Sequence, residues 1–170
     1  MENSGQTQLH GKLDALLRAR LIYLATIRRN NTQSTAAPLW FTTTSDGKIL
    51  IQSGPGSWLT KRVRRGSPVI VWFARKGGRA FIGKAQLTSD PSLIEQILRD
   101  YPRKYLMARF GLHRPTRSSF EGGQRIAMKI TLLQPLPQGF RPKAGAAVPE
   151  FSAERTTFVE FDGKLSPRDV

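Results

Sequence analysis

A chain of 170 residues has room for one domain with a real core, and its 27 Lys plus Arg against 12 Asp plus Glu leave a formal charge of +15 that must attract anions. Cysteine is absent, which excludes disulfides, thiolate zinc sites and cysteine nucleophiles. The N-terminus, MENSGQTQLHGK, lacks the basic-then-apolar order of a signal peptide, and no run approaches the ~18 apolar residues of a membrane span, so a soluble cytoplasmic protein without membrane partners is expected.

Leu13, Leu16, Leu17 and Leu21 recur at helical spacing and predict a short amphipathic helix before the first strand. Leu21 to Ile27 (LIYLATI) is apolar, aromatic and β-branched and reads as strand one, ended by a polar run in which Asn30-Asn31 forms a turn. Ala37 to Thr44, the turn Ser45-Asp46-Gly47, and Lys48 to Ser53 form a hairpin, because Asp-Gly supplies the positive φ of a tight turn.

Strand Ile49–Ser53 then runs into Gly54-Pro55-Gly56 and a short basic helix. Ser57 is placed to cap that helix, whose first N–H groups face an anion, and Lys61, Arg62, Arg64 and Arg65 follow within two turns. Phosphate suits such a group, since charge-assisted bonds to oxyanions are the strong ones. The same residues also read as a plain connection with solvated Lys and Arg.

Pro68 to Ala74, the turn Arg75-Lys76-Gly77-Gly78, and Arg79 to Thr88 give a second hairpin. Asp90-Pro91 opens a helix with Leu93, Ile94, Ile97 and Leu98 on one face, and Pro102 is expected to end it, with Tyr101 and Tyr105 packed beside it. Gln124 to Leu132 alternates as a final strand. Pro135, Pro137, Pro142 and Pro149 then break any pattern, so residues 1–140 are expected to form the domain and 141–170 a C-terminal arm, disordered or wrapped on a partner. Five or six strands in hairpins, with helices only at connections, describe a mainly β (α+β) chain folded as a small antiparallel barrel.

In its order of strand LIYLATI, PLWF, the SDGKI turn, ILIQSGPGS, a basic helix ending RRGSPV, IVWFA, RAFIGKAQL, the helix DPSLIEQILRDYP and the closing RIAMKITL, the chain resembles the pyridoxamine 5′-phosphate oxidase-like flavin-binding family over Leu13–Gln134. The resemblance implies a split antiparallel β-barrel of about six strands with short flanking helices. It implies a homodimer with FMN in a groove at the subunit interface, or alternatively the deazaflavin F420 or no cofactor. It also implies cofactor contacts from Pro38, Leu39, Trp40, Phe41 and Thr42, from Ile51, Gln52 and Ser53, and from the helix start Ser57 to Arg62, with Trp58 positioned to wall a ring. The implied activity is that of an oxidoreductase on a small molecule; no catalytic residue stands out.

The chain departs from the family at Leu59, where many members carry a lysine. Lys61 and Arg62 are the nearest replacements. At about 100° per residue Lys61 returns to within about 40° of Ser57 and Arg62 lies about 140° away. Lys61 is therefore expected to reach the cofactor phosphate and Arg62 to face solvent or a partner chain, with Arg125 and Lys84 next in line.

Other chemistry is thin. His10 and His113 have no acidic residue at metal-ligand spacing, and no Gly-x-Ser-x-Gly elbow exists. Trp40, Trp58 and Trp72 also read as core. A cofactor-free nucleic-acid-binding barrel would use Arg62, Arg64, Arg65, Arg75, Lys76 and Arg79 as a phosphate stripe with Trp58 or Phe81 for stacking, although no aromatic-basic signature accompanies them. A haem-binding relative would need His113 as axial ligand.

Overall fold

Strands whose residues are apolar at every position need cover on both faces, and the computed structural model, which describes residues 18–137 and 139–149, supplies it. Most of the helix expected from Leu13 to Leu21, His10, and everything past residue 149 lie outside the described residues. In chain order the elements are β1 (Ile22–Thr26), β2 (Ala37–Leu39), β3 (Thr42–Thr43), β4 (Ile49–Ser53), α1 (Trp58–Arg64), β5 (Val69–Phe73), β6 (Ala80–Thr88), α2 (Pro91–Lys104), α3 (Leu106–Arg109), α4 (Arg117–Glu121) and β7 (Ile126–Pro135).

The strands form one seven-stranded sheet in the order β2-β1-β5-β6-β7-β4-β3, with every pairing antiparallel. The single strand expected over Ala37–Thr44 is split. Ala37–Leu39 pairs with β1, whereas Thr42–Thr43 pairs with β4, at the far edge of the sheet. Only Trp40 and Phe41 join these edges, a span of at most about 11 Å of extended chain. The sheet must therefore curl until its edges meet, which is a split β-barrel.

The pleat then sorts the side chains into three cores. Ile22, Leu24, Phe41, Ile49, Ile51, Val69, Val71, Phe73, Phe81, Met128 and Ile130 fill the barrel, and Val63 of α1 plugs it from one end. On one outer face Leu50 and Ala127 meet Ile97, Tyr101, Tyr105 and Ala108 of the helical segment. On another, Ala25, Ile70, Trp72 and Ile82 are covered by Leu136 and Val148. Residues 141–149, placed in an arm by the sequence, are docked here. The Val148 N–H donates to the Asn31 carbonyl at 2.9 Å, Gln33 N–H donates to the Ala146 carbonyl at 2.9 Å, and the Trp72 indole N–H donates to the Phe140 carbonyl at 2.7 Å.

Two boundaries differ from the sequence reading. Helix α2 runs through Pro102 to Lys104, because tertiary contacts hold its last turn: the Tyr105 N–H donates to the Tyr101 carbonyl at 2.8 Å, and both rings are buried against Trp40. The final strand reaches Pro135, which sits at its end, where the missing N–H is tolerated. A bulge at Ile82/Gly83 bends β6 over β7, and a Cβ on Gly83 would lie 3.0 Å from Ile130 Cγ2 and 3.1 Å from the Thr131 carbonyl.

Candidate functional site

The Gly54-Pro55-Gly56 turn delivers the chain from β4 into α1 through three linked hydroxyls. Ser57 caps the helix by accepting from the Thr60 N–H at 3.0 Å; its Oγ lies 2.8 Å from Ser53 Oγ, and Thr60 Oγ1 donates to the Gly54 carbonyl at 2.8 Å. The helix start is thereby fixed where the sequence placed it. Directly after the cap, Trp58 is 67% exposed, with Lys61 Nζ 5.1 Å and Arg62 Cζ 5.5 Å from its ring centroid. An exposed indole thus has two cations over its ring.

The two cations differ. Lys61 is exposed. Arg62, expected to face solvent or a partner chain, instead turns back onto the barrel, is half-buried, and donates from Nη1 to Thr26 Oγ1 at 3.0 Å. Burial first, and the nearby Arg28 and Arg65 charges second, lower its pKa from the usual value. Ile27, Arg28, Arg29, Arg62, Arg65, Gly66, Ser67 and Pro68 together line a cavity of about 400 Å³. Cations near a helix C-terminus gain only about 0.3–1 kcal/mol each from the exposed carbonyls. Only Arg62 and Arg65 are placed for that gain, whereas Arg28 and Arg29 come from the turn after β1.

Most of the remaining residues implied for the cofactor are engaged in packing or hydrogen bonds. Phe41 and Ile51 are fully buried in the barrel and Leu39 packs against them. Trp40 stacks on Tyr105 at 4.5 Å, and Thr42 Oγ1 donates to Asp100 Oδ2 at 2.8 Å. The Phe41 backbone is engaged too: its N–H donates to Tyr105 Oη at 2.8 Å and its carbonyl accepts from Lys104 Nζ at 3.1 Å. Gln52 shares a face with Leu50, away from Ser53, and its Oε1 is buried without a hydrogen-bond partner. Pro38 is exposed on β2. The structure therefore gathers Ser53, Ser57, Trp58, Lys61 and Arg62 and holds Trp40, Phe41, Thr42 and Ile51 in the cores.

Lys104 is the unusual titratable group. Its ammonium lies 3.3 Å from the Phe41 ring centroid, and burial pulls its pKa from 10.5 to about 8. Tyr105 is pushed by burial from 10.0 to about 12, and Tyr101 well above its usual value. His113 is exposed, edge-on to Trp40 at 6.4 Å between ring centroids, and Phe81 is 2% exposed, which removes it as a stacking face for nucleic acid. Among the described residues no cluster of His, Asp and Glu is arranged to hold a metal ion, and no helix is long and apolar enough to cross a membrane.

Arg28, Arg29 and Arg65 were not singled out as a cavity by the sequence. Their signal was present but needed a strand pairing: antiparallel β1 and β5 set Thr26 opposite Val69, so residues just after 26 face residues just before 69.

No family model matches the chain, and no curated protein does. Solved structures do. A Listeria innocua protein provisionally named a pyridoxamine 5′-phosphate oxidase superposes with a TM-score of 0.54 at 21% identity, covering 75% of this chain and 96% of its own. General stress protein 26 from Bacillus anthracis gives 0.55 at 18%, covering 79% and 98%. An FAD- and heme-binding protein from Mycobacterium smegmatis gives 0.53 at 18%, covering 85% and 75%. The closed sheet with split edges, the capped α1 at its end and these superpositions agree: the chain has the split-barrel fold of the pyridoxamine 5′-phosphate oxidase-like and general stress protein 26 structures.

Proposed function

We propose that the protein is an FMN-binding flavoprotein that acts as an oxidoreductase on a small molecule. The observation that carries this reading is the exposed Trp58 ring beside Lys61 and Arg62, one residue past the Ser57 cap, at the end of a split barrel. A flat aromatic face next to cations matches a ligand that is flat at one end and phosphorylated at the other. FMN fits this donor set, with Lys61 as the phosphate contact, the Ser53 and Ser57 hydroxyls beside it, and Arg62 adding positive field from below. When bound, the flavin accepts and donates hydride, and the protein's share is position and electrostatics.

A second subunit completes the site in this reading, since a groove on one barrel leaves the ring system largely in water. Light scattering should then give a mass near twice 19.0 kDa. The Mycobacterium neighbour's FAD supports a flavin as the cofactor class. F420 offers a phosphodiester to Lys61 and is the alternative within the fold. The nucleic-acid reading keeps its cations but has only Trp58 left of its two stacking faces.

The visible spectrum of purified protein tests the cofactor. A flavin absorption band, carried by material that co-migrates with FMN after release, is the expected result. Colourless protein that takes up neither FMN nor F420 on incubation overturns the reading.

A further inference from the structure

The cavity beyond the C-terminal end of α1 adjoins the Trp58 site, and Arg62 stands between the two. Its cationic wall comes from two places: Arg28 and Arg29 on the turn that follows β1, and Arg62 and Arg65 in and just after the last turn of α1. The fold holds both rims. The Arg28 N–H donates to the Thr32 carbonyl at 2.8 Å and the Asn31 N–H to the Arg28 carbonyl at 2.9 Å, which closes the turn; Asn31 has φ 57°. On the other rim Gly66, with φ 81°, ends the helix; its N–H donates to the Val63 carbonyl at 2.9 Å, and the Ser67 N–H to the Arg62 carbonyl at 3.0 Å. A backbone bond ties the rims, from the Ile27 N–H to the Pro68 carbonyl at 2.9 Å. No side chain intrudes at Gly66.

Among the described residues none of these four arginines pairs with a carboxylate. Arg62 spends one donor on Thr26 and Arg28 reaches Thr32 at 3.4 Å; the remaining guanidinium N–H groups have no acceptor among the described residues. A guanidinium has five donors in a fixed fork that matches phosphate oxygens two at a time. Four guanidiniums around a hollow of about 400 Å³, within the size of small-molecule sites, offer several forks to one dense anion.

We propose that this cavity is a second anion site, next to the cofactor site at Trp58 and sharing only Arg62 with it, which binds the phosphate or diphosphate group of a small molecule. A partly open hollow of this size, bounded by Pro68 and Gly66, admits a compact polyanion.

Isothermal titration with inorganic pyrophosphate and with FMN, at about 0.15 M salt, separates the two sites. Wild-type protein should bind pyrophosphate saturably at one site per chain, and prior saturation with FMN should leave that binding in place. Arg65→Ala and Arg28→Ala should each weaken pyrophosphate about tenfold or more and leave FMN binding unchanged. Lys61→Ala should do the opposite. Arg79→Ala, outside the cavity, reports on net charge alone and should change neither. Overturning results are no pyrophosphate binding at millimolar concentration, displacement of pyrophosphate by FMN, an equal loss in Arg79→Ala, or a single-stranded oligonucleotide that competes with pyrophosphate and loses affinity equally in all four variants. Failure of the FMN arm alone would leave this site standing and remove the flavin reading.

Discussion

At the scale of single residues, Lys61 and Arg62 carry different work although they are neighbours on one short helix. Lys61 is exposed beside Trp58, while Arg62 is half-buried on Thr26. Lys61→Ala should therefore weaken FMN binding about tenfold or more, the scale of a lost charge-assisted bond, and Arg62→Ala should weaken it less than threefold; fluorescence titration of both variants reads the ranking, and a reversed order places the cofactor phosphate in the arginine cavity. The sequence reading aimed only Lys61 at the cofactor groove and turned Arg62 to solvent or a partner chain, whereas Arg62 bonds Thr26, because angular counting from Ser57 says nothing of where the barrel lies relative to the helix. Lys104 supplies a second test. Its folded-state pKa of about 8 lies below 10.5, so between those values the folded protein binds fewer protons than the unfolded chain and this group makes stability rise with pH. Tyr105, with its pKa raised to about 12 from 10.0, acts the other way above about pH 10, where the folded state holds a proton that the unfolded chain has lost. Thermal melts should show stability climbing above about pH 8 and falling again beyond about pH 10. In Lys104→Met the rise should vanish and the fall persist; an unchanged rise would locate the titration elsewhere.

At the scale of elements, composition and periodicity made the hairpins, the Ser57 cap and the Asp90-Pro91 helix start legible, since each is a local matter of β-branched runs, turn residues and capping oxygens. The split of Ala37–Thr44 between two neighbours was not legible. Its residues favour an extended chain throughout, and only closure of the barrel makes β2 and β3 part company at Trp40-Phe41. Helices α3 and α4 were also missed, being short and weakly periodic, although Thr116 and Ser119 form a capping box that a closer reading of 106–123 would find. The bulge at Gly83 depends likewise on a neighbour. Because a Cβ there meets the Thr131 carbonyl at 3.1 Å and Ile130 at 3.0 Å, Gly83→Ala should destabilise the fold by about 1–3 kcal/mol. Urea unfolding measures it; a neutral result would mean that β6 and β7 lie further apart than described.

At the scale of the whole molecule, three cores share one sheet, and the cover of each comes from a different part of the chain. The strap formed by residues 140–149 shields Trp72, Ile70 and Ile82, so a chain ended at Pro137 should lose about 3 kcal/mol or more, from the apolar surface of Phe140 and Val148 and the hydrogen bonds to 31–33. Equal stability of the truncated and full chains, by the same urea method, would show that the strap only rests on the sheet. Four prolines within and around this segment hid its docking from the sequence, because proline removes regular secondary structure without preventing an irregular strand from packing. The barrel itself was legible from strand count and order, and the capped start of α1 from Gly54-Pro55-Gly56-Ser57; the arginine cavity was not, since its halves lie more than thirty residues apart in sequence and meet only through the β1–β5 pairing. The claim on which the functional account rests is that this barrel end holds a phosphorylated flavin. Calorimetric titration of FMN against riboflavin tests it most directly: FMN should bind at micromolar affinity or better and riboflavin at least tenfold more weakly, the difference being the phosphate's bonds at about 1.5–3 kcal/mol each, whereas equal affinities, or no binding of either, would contradict it.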